Sequence, residues 1–195
     1  MILNVMRVVW LAAGSAALLF GASTNTAQSA DAKAMRGKYL VTAMGCSDCH
    51  TAGALMGQPD MKRALAGSNI GFPVPGLGTF YGANLTPDRD TGLGKWSEAE
   101  IATAIRTGKR PDGRILAPAM PWMSFSNLTV SDAQSIAAYL KTLKPIRNKV
   151  AGPFGPDEKP VGFVSPVLPA EVFASLQKPR KAEVPKTQSA TGTKR

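Results

Sequence analysis

Two cysteines and one histidine stand together in "GCSDCHTAG", as Cys46, Cys49 and His50, and the 195-residue chain has no other cysteine or histidine. Four readings of such a cluster compete. A structural zinc site wants four ligands, commonly from two such pairs, and this chain offers two thiols and one imidazole. A thioredoxin-like dithiol opens a helix after a buried strand, whereas the preceding "AMRGKYLVTAMG" reads as a short helix. A disulfide across C-x-x-C closes a very small loop and constrains the unfolded chain little. The fourth is covalent haem. Two thiols three positions apart can add as thioethers to the two vinyl groups of one porphyrin, which brings the next residue, a histidine, beneath the iron. C-x-x-C-H is the signature of that attachment. The expectation is one haem c held through Cys46 and Cys49, with His50 as proximal ligand.

A single histidine excludes bis-His ligation within the chain. Methionine is the usual partner of histidine in electron-transfer haem proteins, and its ligation raises the potential. Met44 is tied to the proximal edge by its nearness to Cys46, and Met35 lies on the entering helix. Met56 and Met61 follow His50 closely. Met120 and Met123, in the Pro-bearing loop "APAMPWMSFSNL", are the candidates for the distal ligand. Core filling is the plain alternative for both, since methionine packs adaptably.

The N-terminus reads as a secretory signal peptide over residues 1–30. Arg7 is the only charged side chain before Asp31, the apolar run "VVWLAAGSAALLF" follows it, and small residues around Ser29 and Ala30 suit cleavage. The run is too short for a spanning helix, which needs about 20 apolar residues. Export places the protein in the periplasm. A chance C-x-x-C-H would have to coincide with that leader. The formal charge is +10, and the last 18 residues hold six basic side chains and one acid. Residues 178–195 therefore read as a solvated, disordered tail. No nucleic-acid partner is expected, and contact with a membrane surface stays open.

Three helices position the motif. The first covers roughly Ala34 to Met44, where Gly37 costs helix stability and suggests a close helix crossing. The second begins at Ser97 with a Ser97/Glu100 capping box and stops at Gly108. The third follows Thr129, has Ile136, Ala137, Leu140 and Leu143 at helical spacing, and ends before Pro145. Lys141 and Lys144 complement its C-terminal dipole. Between His50 and Trp96 the chain reads as loop, a length that needs an apolar surface to pack on. Asn84-Leu85-Thr86 and Asn127-Leu128-Thr129 match glycosylation sequons, but neither needs a function, and Thr129 suits a helix cap. Residues 31–146 form the expected haem domain, and 147–177 a Pro-rich extension that wraps it or docks a partner.

The ordered stretches "RGKYLVTAMGCSDCHTAG", "GTFYGANLTPDRDTGLGKWSEAEIATAIRTG", "PDGRILAPAMPW" and "LTVSDAQSIAAYLKTLKP" resemble a class I c-type cytochrome. In particular they are similar to one haem domain of the cytochrome c subunits of bacterial membrane-bound alcohol and gluconate dehydrogenases. The resemblance covers about residues 33 to 145. It implies an all-α, cytochrome c-like fold of three or more helices and long loops wrapped round one covalent haem c. By position it implies thioethers at Cys46 and Cys49, His50 as proximal ligand and Met120 as distal ligand, although "MSFSNL" keeps Met123 in contention. It also implies a propionate contact at Trp96, and a proline carbonyl behind the proximal imidazole, for which Pro75 is the candidate. Those dehydrogenase subunits carry three haem domains, whereas this chain has one C-x-x-C-H.

The function expected is that of a periplasmic mono-haem electron carrier. It would take single electrons from a periplasmic or membrane-bound dehydrogenase and pass them towards the respiratory chain, to a cytochrome or terminal oxidase. It would not be an enzyme by itself. Lys109, Arg110 and Arg114 beside the distal loop could steer an acidic partner, or be ordinary solvated charges. The alternative is a haem enzyme with a labile sixth ligand, a peroxidase or sulfur-compound oxidoreductase. A dithiol protein without haem is the third possibility.

Overall fold

A computed structural model describes residues 13–177. The first 12 residues of the expected leader and the basic tail 178–195 lie outside the described residues. The elements in chain order are α1 (Ala13–Ala43), α2 (Cys46–His50), 3-10 turns at Ala54–Met56 and Met61–Arg63, β1 (Ile70–Val74) and β2 (Gly78–Tyr81). There follow α3 (Glu98–Thr107), α4 (Trp122–Phe125), α5 (Val130–Thr142), β3 (Phe163–Val164) and α6 (Ala170–Gln177). Among the described residues, those up to Ser165 make one compact unit, and those from Pro166 to Gln177, with α6, belong to another. Val172, Phe173 and Leu176 are exposed on α6. Among the described residues no helix is long and apolar enough to cross a membrane.

The core of the first unit is helical. Leu40 and Val41 of α1, Ile101 of α3 and Ile136, Ala137 and Leu140 of α5 form one buried cluster, joined by Leu65. Gly37 is where α1 meets α5. A Cβ there would run into the Ser135 carbonyl and crowd Tyr139, so only glycine permits this approach. The cost of glycine within a helix is offset by packing. Arg36 ties the same crossing at the surface by donating to Asp132 at 2.9 Å. The expected first helix, from about Ala34, is instead the last part of a longer one.

The local signals at the other two helices hold. At α3, Ser97 Oγ accepts from Glu100 N at 3.2 Å while Glu100 Oε2 accepts from Ser97 N at 2.7 Å. Both are bonds of the reciprocal box that satisfies two orphan donors. At α5, Thr129 Oγ1 accepts from Asp132 N at 3.0 Å. Lys141 departs from its expected role at the helix dipole: its Nζ reaches the carbonyls of Leu93, Gly94 and Trp96, the last at 2.9 Å. An ammonium with three donors ties off three turn carbonyls at once.

The segment expected to be loop between His50 and Trp96 contains a small sheet. β1 pairs antiparallel with β2, Phe72 opposite Phe80, and β3 adds in parallel beside Ile70 and Gly71. The strand order is β2-β1-β3. β3 comes from the Pro-rich extension, which runs back over the unit. Phe154 and Thr79 exchange backbone bonds of 2.9 and 3.0 Å, and the Tyr81 hydroxyl donates to the Val161 carbonyl.

Two outcomes are expected. Gly37→Ala should lower stability by about 1–3 kcal/mol, the usual cost of overpacking, read as a lower denaturant midpoint in equilibrium unfolding. Hydrogen bonds from Arg36 and then Thr129 hold the Asp132 carboxyl below its ordinary range. Its depressed folded value contributes stability that is present above about pH 4, the unfolded value, and is lost as pH falls through the folded one. Asp132→Asn should therefore lower thermal stability at neutral pH and leave it nearly unchanged at the acid end of a melting series.

Candidate functional site

Helix α2 is five residues long and consists of the motif itself. Gly45 precedes it in the left-handed region, which turns the chain sharply out of α1. At helical spacing Cys46 and Cys49 share a face. Both are free thiols, half-buried. Burial pushes the Cys46 thiol up to about 11, with the Asp48 charge adding to the effect. Cys49 is raised by the same two causes in the same order. Burial and the Asp48 charge thus favour the neutral thiol over the thiolate at both positions.

His50 is buried. Its Nδ1 lies 2.7 Å from the Ala83 carbonyl oxygen. A carbonyl only accepts, so Nδ1 carries the proton and donates. Burial lowers the imidazole below its ordinary value, the bond to Ala83 pulling the other way. In the neutral ring Nε2 is then unprotonated, with its lone pair free for a metal. The expected proline carbonyl is thus replaced. Pro75 falls in the turn between β1 and β2, because pairing in the hairpin engages residues on both sides of it. Only after Tyr81 does the chain return towards α2, and at Gly82 it passes so close that a Cβ would strike the Cys49 carbonyl. Nothing in the sequence singles out Ala83, since it contributes only backbone.

The remainder of α2 is held from one side. Gly67 N donates to the His50 carbonyl at 2.8 Å, and Thr51 Oγ1 accepts from Leu65 N at 2.9 Å and lies 2.8 Å from Ser47 Oγ. Of the distal candidates, Met120 lies on the loop after α3 and Met123 on α4. Met120 is half-buried and donates its N–H to Ala117 at 2.9 Å, whereas Met123 begins its run on α4 with 56% of its surface exposed. Trp122 fixes this loop: its ring covers Gly108, and its Nε1 donates to the Leu116 carbonyl at 3.1 Å. Met44 packs on the core, and Met35, Met56 and Met61 are exposed.

Trp96 packs against the core, with the Arg110 guanidinium 5.4 Å from its ring centre. Among the described residues the buried Nε atoms of Arg106 and Arg110 find no hydrogen-bond partner. A buried donor left unpaired is costly. Arg110 and Arg114 both pair with Asp112, at 3.3 and 2.8 Å, so the proposed basic face of this loop is partly neutralised from within. Two free thiols and an imidazole with its Nδ1 proton already engaged, all on one short helix, are a set that fits a covalent haem. Among the described residues no group of three or more His, Cys, Asp or Glu could hold a metal ion.

The helical core, the five-residue motif helix and the loops closing on it define a small haem-protein fold. The family described as cytochrome c matches residues 34–144, and the chain belongs to it. A nicotinate dehydrogenase component of Pseudomonas putida is 39% identical over 114 residues, which are 58% of this chain and 9% of that protein. The cytochrome c subunit of the quinone-dependent alcohol dehydrogenase of Komagataeibacter europaeus is 35% identical over 159 residues, 81% of this chain and 31% of that protein. The fructose dehydrogenase cytochrome subunit of Gluconobacter japonicus is 37% identical over 112 residues, 57% of this chain and 21% of that protein. The chain thus spans less than a third of each of these relatives.

In the haem-free chain at pH 7, alkylation of Cys46 should be roughly a hundredfold slower than that of an unperturbed thiol, as its raised value requires. Peptide mapping after timed labelling reads this directly, and rapid labelling of both cysteines would favour the dithiol reading.

Proposed function

We propose that this chain is an exported, mono-haem c-type cytochrome that carries single electrons from a dehydrogenase towards the respiratory chain, and is not an enzyme by itself. The observation that carries the reading is His50, buried with its Nδ1 proton committed to Ala83 at 2.7 Å, on the same five-residue helix as both thiols. Cys46 and Cys49 would hold the porphyrin as thioethers, and His50 Nε2 and the Met120 thioether would ligate its iron. The bound haem supplies a one-electron couple. The chain's own residues set its working conditions. Ala83 holds the imidazole orientation and raises its basicity. Trp96, with the Arg110 guanidinium over its ring, would offer the haem an apolar face and a positive charge. Trp122 anchors the loop that presents Met120.

A filled sixth position would keep substrates from the iron, leaving transfer through the haem edge as the chemistry. Relatives are named as cytochrome subunits of alcohol and fructose dehydrogenases and as a nicotinate dehydrogenase subunit, which supports a dehydrogenase as donor; the acceptor would be a cytochrome or terminal oxidase. Residues 1–30 would direct export to the periplasm with cleavage near Ser29 or Ala30. Residues 31–146 would form the haem domain, 147–177 its extension and 178–195 a basic tail.

The test is the visible and near-infrared spectrum of protein exported with haem-attachment machinery, as wild type, Met120→Ala and Met123→Ala. A c-type reduced spectrum with a methionine–Fe(III) charge-transfer band lost only in Met120→Ala is the expected result. Loss only in Met123→Ala moves the ligand by three residues. Colour without that band, together with free carbon monoxide binding, favours the alternative haem enzyme. A colourless protein sinks the haem reading.

A further inference from the structure

Asn84 is 2% exposed, and every polar atom of its side chain is engaged. Its Nδ2 donates to the Ile146 carbonyl at 2.7 Å and to Thr91 Oγ1 at 3.1 Å. Its Oδ1 accepts from Thr86 N at 2.9 Å and from Thr86 Oγ1 at 2.7 Å. Thr86 Oγ1 in turn accepts from Ile146 N at 3.1 Å, and Thr91 Oγ1 from Asn148 N at 2.9 Å. Asn148 Nδ2 then crosses to the Ala66 carbonyl at 2.7 Å. Ile146 and Asn148 lie beyond residues 34–144, the span shared with the family.

These bonds converge on the histidine. Ala83, whose carbonyl holds His50 Nδ1, is the neighbour of Asn84 in the chain; Ala66 is the neighbour of Gly67, whose N–H holds the His50 carbonyl. The two segments are joined to each other by Ser68 N to Gly82 O at 2.9 Å and Leu85 N to Leu65 O at 2.8 Å. The chain after α5 grips both from behind, through Asn84 on one and Asn148 on the other.

We propose that Asn84, Thr91 and the strap at residues 146–148 are positioning residues for His50: they hold the Ala83 carbonyl at hydrogen-bonding distance from Nδ1 and so set the basicity of the proximal imidazole. The inference rests on His50 being the iron's proximal ligand. It gives a structural task to the Asn84-Leu85-Thr86 sequon, which is buried and unsuited to carry a glycan. A carbonyl pulling on Nδ1–H makes the imidazole a stronger donor and favours ferric iron. Slackening the clamp should therefore raise the potential.

The experiment uses full-length, haem-loaded protein as wild type, Asn84→Ala, Thr91→Val, Thr91→Ser and Asn148→Ala. The readouts are midpoint potential, the NMR shifts of the proximal imidazole protons and melting temperature. Asn84→Ala and Thr91→Val should raise the potential by a severalfold change in the reduction equilibrium, where tenfold would be about 59 mV for one electron, and move the imidazole signals. Thr91→Ser, which keeps the hydroxyl, should return both to wild type, and Asn148→Ala should shift them in the same direction as Thr91→Val. If melting falls while potential and imidazole signals stay at wild type, the network is a fold staple and the inference fails. If Asn84→Ala does not accumulate, the Thr91 pair decides alone. A wild type without a c-type spectrum, or a His50→Ala protein with unchanged iron ligation, would instead overturn the assignment of His50.

Discussion

The bond from His50 Nδ1 to the Ala83 carbonyl is the constraint on which the rest of the structure depends. A buried imidazole must have its N–H satisfied, and here the acceptor is a backbone carbonyl 33 residues downstream. The chain around residue 83 must therefore come within hydrogen-bonding distance of α2 and stay there. Gly82 permits the approach by having no Cβ to strike Cys49. The hairpin β1–β2 delivers the chain to that point, and the bonds of Ser68 to Gly82 and Leu85 to Leu65 keep it there. A loop would otherwise retain the entropy of tens of rotatable bonds, and this one is held by specific polar contacts in place of a continuous apolar core.

The helical half has a simpler task. Helices α1, α3 and α5 bury one apolar stripe each, and the Gly37 contact lets α1 and α5 approach closely enough for Leu40, Val41, Ile136 and Leu140 to share one cluster. This half gives the motif a rigid lead-in, since α2 follows α1 after only a short turn. It also carries the loop with Met120, anchored by Trp122 on the C-cap of α3. The His50 side is thus fixed by hydrogen bonds and the loop of Met120 by an aromatic ring on a helix end. These are different physical devices around one proposed cofactor.

Features that depend on near neighbours were legible in the residue types alone. The Ser97/Glu100 box, the Thr129 cap, the stop at Gly108 and the close crossing at Gly37 each follow from residue types a few positions apart or from glycine's lack of a side chain. The small sheet was not legible. Its first two strands carry Gly71, Pro73 and Gly78, which read as loop, and its third is a two-residue strand arriving from residue 163. Lys141 shows the same limit: at a helix C-terminus its charge suits the dipole, but its ammonium found carbonyls 45 to 48 residues away.

The sequence by itself brought two thiols and one imidazole together in C-x-x-C-H, because they are the chain's whole supply of both types and their spacing is a local, covalent property. It also determined α3 and α5, whose caps and apolar periodicity lie within single turns, and the crossing at Gly37, but not the length of α1. Only the tertiary structure decided what holds the histidine. Ala83, not Pro75, is its partner, because a backbone carbonyl leaves no trace in residue type and its position depends on how a hairpin pairs. The engagement of residues 146–148 with Asn84 and Thr91 was decided there too, for hydrogen bonds between segments about 60 residues apart exist only once the chain has folded.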